Sequence, residues 1–168
     1  MSLRGKTVDN PADQRFIDMV AQHGHAVMRV SDGEDEPSEE PGFVYSLGAF
    51  ESYGALELII FGLAEDLATE VINFAMDEYV AGRRFTCGVP EYGLLGGDFP
   101  VVFQETHPDA AQAFATFADW YYERAPFPLW QIVWPGKTVG FPWEDGCADE
   151  VKHAQIDLTG QHWHRALN

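Results

Sequence analysis

Three strand-forming runs, residues 25–30, 43–49 and 57–61, follow one another with no helical pattern between them. Parallel neighbours need a crossover connection of a dozen or more residues, usually helical, whereas antiparallel neighbours need only a turn. The first half of this chain therefore builds an antiparallel or mixed sheet, and the fold class is α+β. Ser52-Tyr53-Gly54 supplies the turn chemistry between the second and third runs. Further extended runs are read at residues 83–87, 99–104, 129–134 and, more weakly, 153–158. The sheet is expected to include Val27, Val44, Ile59, Val102 and Ile132.

Three helices complete the pattern. Asn10-Pro11-Ala12-Asp13 places a capping side chain before Pro at the first helical position, with a carboxylate in the first turn. Phe16, Ile17, Val20 and His23 then recur at helical spacing, and Gly24 stops the helix. Residues 64–81 carry Leu67, Val71, Phe74 and Ala75 as one apolar stripe and end at Gly82. Pro108 opens a third helix, residues 108–124, with Ala110, Phe114, Phe117 and Tyr121 on its buried face. The reading is a single domain over residues 10–158 with the helices on one side of the sheet. Residues 1–9 and 159–168 are expected to be flexible termini, and residues 32–41 a mobile acidic loop.

At 168 residues the chain is one domain's worth, and folding at that length buries roughly 70% of the unfolded surface. Its 46% hydrophobic content is enough for a core without staples. Cys87 and Cys147 have no metal-type spacing and read as reduced thiols of a cytoplasmic protein without a signal peptide. No apolar run approaches the roughly 20 residues of a membrane helix. The 27 acidic and 10 basic residues give a net charge of −17, which repels phosphate backbones and anionic membranes. Such a charge has two readings, a solvated acidic surface that keeps the protein soluble or a field that steers association with a basic protein partner.

Two blocks combine small polar groups and aromatic rings with strand-forming residues. The first is Gly42-Phe43-Val44-Tyr45-Ser46-Leu47-Gly48 followed by Glu57-Leu58-Ile59-Ile60-Phe61-Gly62-Leu63. The second is Gln131-Ile132-Val133-Trp134-Pro135 followed by Phe141-Pro142-Trp143. With His23-Gly24 ahead of them, these blocks resemble a family of small bacterial proteins catalogued as a domain of unknown function, across residues 20–145. Leu56 stands where that family's pattern has Pro, and Gly136 where it has Asp. The resemblance implies a fold and leaves the activity open.

Within the blocks, Tyr45 and Ser46 are strand neighbours and point to opposite faces. Tyr45 is the candidate ligand-orienting group, since its hydroxyl bonds while its ring packs. Ser46 lacks the G-x-S-x-G elbow of a hydrolase nucleophile. Trp130 and Trp134 share a strand face with Ile132, while Gln131 takes the other with Val133. Rings flanking a cleft stack on a flat ligand or hold a partner side chain; the same rings also serve as core packing. His25 joins Tyr45, Trp130, Gln131 and Trp134 as a candidate pocket residue. The pairs His23/His25 and His162/His164 have the spacing of half a metal site, but the turn at Gly24 and the chain end argue against a metal, and none is expected. Residues 93–98 are Gly-rich without the Lys-Ser/Thr of a phosphate loop. Arg83-Arg84 is a possible anion contact or a solvated helix end. Glu57, at a strand start, has no partner acid or base identifiable from sequence.

Two functions fit. One is an acidic, immunity-like binding protein of the cytoplasm that masks a basic partner and carries no cofactor. The other is a small enzyme or flavin- or nucleotide-binding module, because Tyr45-Ser46-Leu47-Gly48 and Glu57-Leu58-Ile59 also resemble the split-barrel flavoproteins. Fold analogy alone does not choose between them.

Overall fold

In the computed structural model, which describes residues 2–30, 42–136 and 140–159, the extended runs join one six-stranded sheet. Its strands are β1 (Ala26–Val30), β2 (Phe43–Leu47), β3 (Glu57–Phe61), β4 (Pro90–Glu91), β5 (Val101–Glu105) and β6 (Leu129–Val133), in the order β1-β2-β3-β6-β5-β4. All neighbours are antiparallel except β3 and β6, which are parallel. The sheet is mixed, and the protein is an α+β single domain. The central β3 is buried along its whole length, so its near-continuous apolar sequence is that of a strand covered on both faces. At one edge, β4 is two residues long and begins with Pro, which blunts the edge against further pairing.

The helices are α1 (Pro11–His23), α2 (Ala49–Tyr53), α3 (Glu65–Val80), α4 (Ala110–Ala113), α5 (Thr116–Tyr121) and α6 (Asp149–Ala154). In α1, Asn10 Oδ1 accepts the N–H groups of Ala12 and Asp13 at 2.8 and 3.2 Å, and the Gly24 N–H closes the other end on Val20. One sheet face, with Tyr45, Ile59 and Phe61, packs against α1, α4 and α5 through Ile17, Val20, Ala110, Ala118 and Tyr121. The other, with Val44, Leu58, Ile60, Phe103 and Ile132, packs against Ala68, Val71, Ile72, Ala75 and Met76 of α3. Helices therefore cover both faces, not one. The segment ahead of α1 lies on the first face, where the Leu3 N–H bonds to the Tyr121 carbonyl at 2.9 Å.

Several local expectations are corrected. Residues 83–87 are not a strand. The third helix is broken into α4 and α5, because Phe114 and Ala115 leave the helical conformation. The buried stripe of α3 is turned from the expected one, leaving Leu67 36% and Phe74 44% exposed. Residues 153–158 hold the end of α6 and a non-ladder segment instead of a strand. The acidic loop and the His162/His164 pair lie outside the described residues.

Phe114 and Phe117, placed on the buried face of the third helix, are half-buried and pack against the first cluster. Phe114 sets its ring edge-on to both Phe43 and Phe61. Phe114→Ala is expected to cost about 2 kcal/mol, less than the roughly 3–5 kcal/mol of a fully buried ring. Urea unfolding checks this, and a loss below about 0.5 kcal/mol, the surface range, contradicts the packing.

Candidate functional site

The first motif block converges on a buried carboxylate. Glu57 is fully enclosed, and four donors reach it. Ser46 Oγ donates to Oε1 at 2.8 Å, the Ala49 and Phe50 N–H groups donate at 3.3 and 3.2 Å, and the Tyr122 hydroxyl donates to Oε2. The two hydroxyls are themselves oriented by backbone: Leu58 N–H donates to Ser46 Oγ at 3.0 Å and Gly48 N–H to the Tyr122 oxygen at 3.1 Å. No ion pair reaches Glu57 among the described residues. Burial pushes its pKa up, and the Tyr122, Ser46, Phe50 and Ala49 hydrogen bonds draw it partly back. Tyr122 is raised by its own burial and by Glu57 beside it. The arrangement caps the N-terminus of α2, whose own preceding residue, Gly48, offers no side chain. Gly48 has φ 90°, and a Cβ there would strike the Val20 side chain, so only glycine fits this turn.

The other motif side chains have the same kind of partner. Tyr45 is buried, and its hydroxyl accepts the Phe117 N–H at 2.9 Å near the start of α5. Gln131, also buried, donates Nε2 to the Ile156 carbonyl at 2.6 Å and accepts the Leu158 N–H at 3.0 Å. Reciprocally, the Gln155 amide bonds both backbone groups of Trp134, at 3.0 and 2.9 Å. Trp134 Nε1 donates to the Phe61 carbonyl at 2.7 Å. A Cβ at Gly62 would strike the Ala154 carbonyl, so glycine lets α6 approach the end of β3. His25 bonds Tyr53 through Nδ1 and Asn73 through Nε2, both at 2.8 Å. Among the described residues, no three His, Cys, Asp or Glu side chains converge as a metal ion would require.

A concavity of about 440 Å³ opens where α4 and α5 meet the 124–130 segment, and Trp130 lines it. Tyr45, Gln131, Trp134 and His25 do not, so one of the five candidate residues meets it. Its ionisable lining is Glu105, His107, Asp109, Asp119 and Arg124. Glu105 and Trp130 are direct partners across β5 and β6. The largely buried Asp119 carboxylate accepts Arg124 Nη1 at 3.1 Å, and its carbonyl accepts the Arg124 N–H at 2.9 Å. Glu123 and Arg124, at φ 54° and 64°, are the two non-glycine residues with positive φ among those described. Such conformations cost of order 1–3 kcal/mol each and persist where surrounding contacts hold them. The helix-ending turn has no glycine, and that was the one signal in the sequence of a strained wall here.

A model of the family described as "Domain of unknown function (DUF4262)" matches residues 19–148, most of the chain. The chain belongs to the DUF4262 family. No curated protein and no solved structure matches it. Membership agrees with the resemblance read from the motif blocks. In this DUF4262 chain, Tyr45, Ser46, Glu57, Gln131 and Trp134 of those blocks hydrogen-bond the protein's own groups. Among the described residues no helix is long and apolar enough to cross a membrane.

Proposed function

We propose that this DUF4262 chain is an acidic binding protein of the bacterial cytoplasm that masks a basic protein partner in the manner of an immunity protein. The observation that carries this reading is the concavity beside Trp130, where Glu105, Asp109 and Asp119 outnumber Arg124, itself paired with Asp119. A Lys or Arg side chain entering it meets carboxylates on several walls and the apolar surface of Phe127 and Trp130. The net charge of −17 draws the same kind of partner from a distance. The alternative, a flavin or nucleotide module, rests on Tyr45, Ser46 and Glu57, and their polar atoms already bond inside the fold.

The test is recovery of the partner from the source cell, followed by association kinetics. The on-rate is expected to fall steeply as salt shortens the Debye length from about 30 Å to about 8 Å. Charge reversal of the pocket, Glu105→Lys with Asp109→Lys, is expected to weaken binding at least about tenfold, or 1.4 kcal/mol. Recovery of no basic partner, or unchanged binding by the double variant, overturns the reading. An ultraviolet-visible spectrum of freshly purified protein checks the alternative, since a flavin band would favour it.

A further inference from the structure

The outer face of α3 is both apolar and acidic, with Arg29 of β1 meeting Asp66 at 2.8 Å and Glu65 at 4.0 Å at its N-terminal end. Its sequence contains Glu65, Asp66, Glu70, Asp77 and Glu78 and no Lys or Arg. Leu67 and Phe74, seven residues apart and thus on one stripe, stay 36% and 44% exposed. With Val71, Asn73 and the Gly-rich segment 93–96 they line a groove of about 440 Å³, bordered by Glu70 and Asp77. Neither carboxylate has an ion-pair partner among the described residues. Asp77 lies in the last turn of α3, where the helix dipole disfavours an anion. Glu78, in that same turn, has Arg83 at 3.6 Å; Asp77 has no such relief.

We infer that this groove docks a basic amphipathic helix of a partner protein, with apolar side chains at i, i+3 or i+4, and i+7 over Leu67 and Phe74 and with Lys or Arg against Glu70 and Asp77. The seven-residue step between Leu67 and Phe74 spans about 10 Å, two helical turns, which matches the anchor spacing of helix-in-groove recognition. Charge selects the occupant. A second copy of this chain would bring another −17 against the same carboxylates, whereas a basic helix neutralises them. The inference goes beyond the reading of the concavity, since the two sites share no residue.

The probe is a fluorescein-labelled helical peptide of about 18 residues with Leu at helical anchor spacing and Lys elsewhere, followed by anisotropy at about 0.15 M salt. A second peptide carries Glu in place of Lys. The expected result is binding of the Lys peptide alone. Phe74→Ser and the pair Glu70→Lys with Asp77→Lys should each weaken it at least about tenfold, while Asp9→Lys with Asp145→Lys, the same charge change at exposed positions outside both sites, leaves it unchanged. Circular dichroism and thermal unfolding of each variant confirm that these surface changes leave the fold intact. If the groove variants and the charge-matched control reduce binding alike, the attraction is only that of the overall charge, and the inference fails. It fails too if Glu105→Lys with Asp109→Lys reduces binding more than the groove variants do, since the peptide then sits in the concavity. It also fails if the protein sediments as a dimer that Phe74→Ser dissociates, since the groove is then occupied by a second copy.

Discussion

Glu57→Ala is expected to destabilise the protein by about 3–5 kcal/mol, because each buried donor left without an acceptor costs about 1–3 kcal/mol. Four donors lose their acceptor together: the Ser46 and Tyr122 hydroxyls and the Ala49 and Phe50 N–H groups. Water entering the vacated space recovers part of the loss. The damage should centre on α2, where the Tyr122 oxygen still accepts the Glu51 N–H at 3.4 Å but nothing replaces the acceptor of Ala49 and Phe50, so amide exchange at those two residues should accelerate most. Urea unfolding measures the total, and a change under about 0.5 kcal/mol would mean the carboxylate is dispensable.

Glu57 also sets a pH dependence whose sign follows from its raised pKa. Its ordinary value is 4.5, and burial lifts the folded-state value above this. Between the two, the native state holds a proton that the unfolded chain has released, so stability decreases as pH rises through that window. Glu57→Gln has no such titration. The stability of the native sequence minus that of Glu57→Gln should therefore be largest below pH about 4.5 and shrink as pH climbs toward the raised value. A difference that grows with pH would mean the hydrogen bonds outweigh burial and hold the carboxylate ionised.

Gln131→Ala should cost about 2–4 kcal/mol, since it strands the Ile156 carbonyl and the Leu158 N–H inside the protein. Gln131→Glu is informative because it keeps the shape. One oxygen still accepts from Leu158, but the other faces the Ile156 carbonyl with no proton between them, so a comparable loss is expected at neutral pH. Both variants should loosen residues 156–158 before the sheet opens, while the Gln155 amide still holds Trp134. Amide exchange at Leu158 checks this: protection lost there while β3 stays protected supports the clamp, and equal protection in native and variant chains refutes it.

Some of this architecture is written in local chemistry. Asn10, Pro11 and Gly24 bracket α1 because each acts on the backbone within a few residues, and the expected and observed helix agree at both ends. The apolar run of β3 and the order of the first three strands are local in the same sense, since burial on two faces and short connections leave direct marks in composition. The alternation of Trp130, Ile132 and Trp134 against Gln131 and Val133 is likewise a property of the strand period.

The misread elements depend on partners far away in the chain. Helix α2 is too short for a period to show, and its cap comes from Glu57, eight residues beyond Ala49. The break between α4 and α5 is met by Tyr45, seventy-two residues from Phe117. The 155–158 segment is held by glutamine amides in place of a strand ladder. The orientation of α3 was settled by which residues β2 and β3 offered to pack against, which left Phe74 outside. Sequence by itself determined the fold class, the charge and the residues of the two blocks. Only the tertiary structure decided their employment, because a buried polar group takes whichever partner the packed chain brings within hydrogen-bonding distance, and that partner leaves no trace in neighbouring sequence.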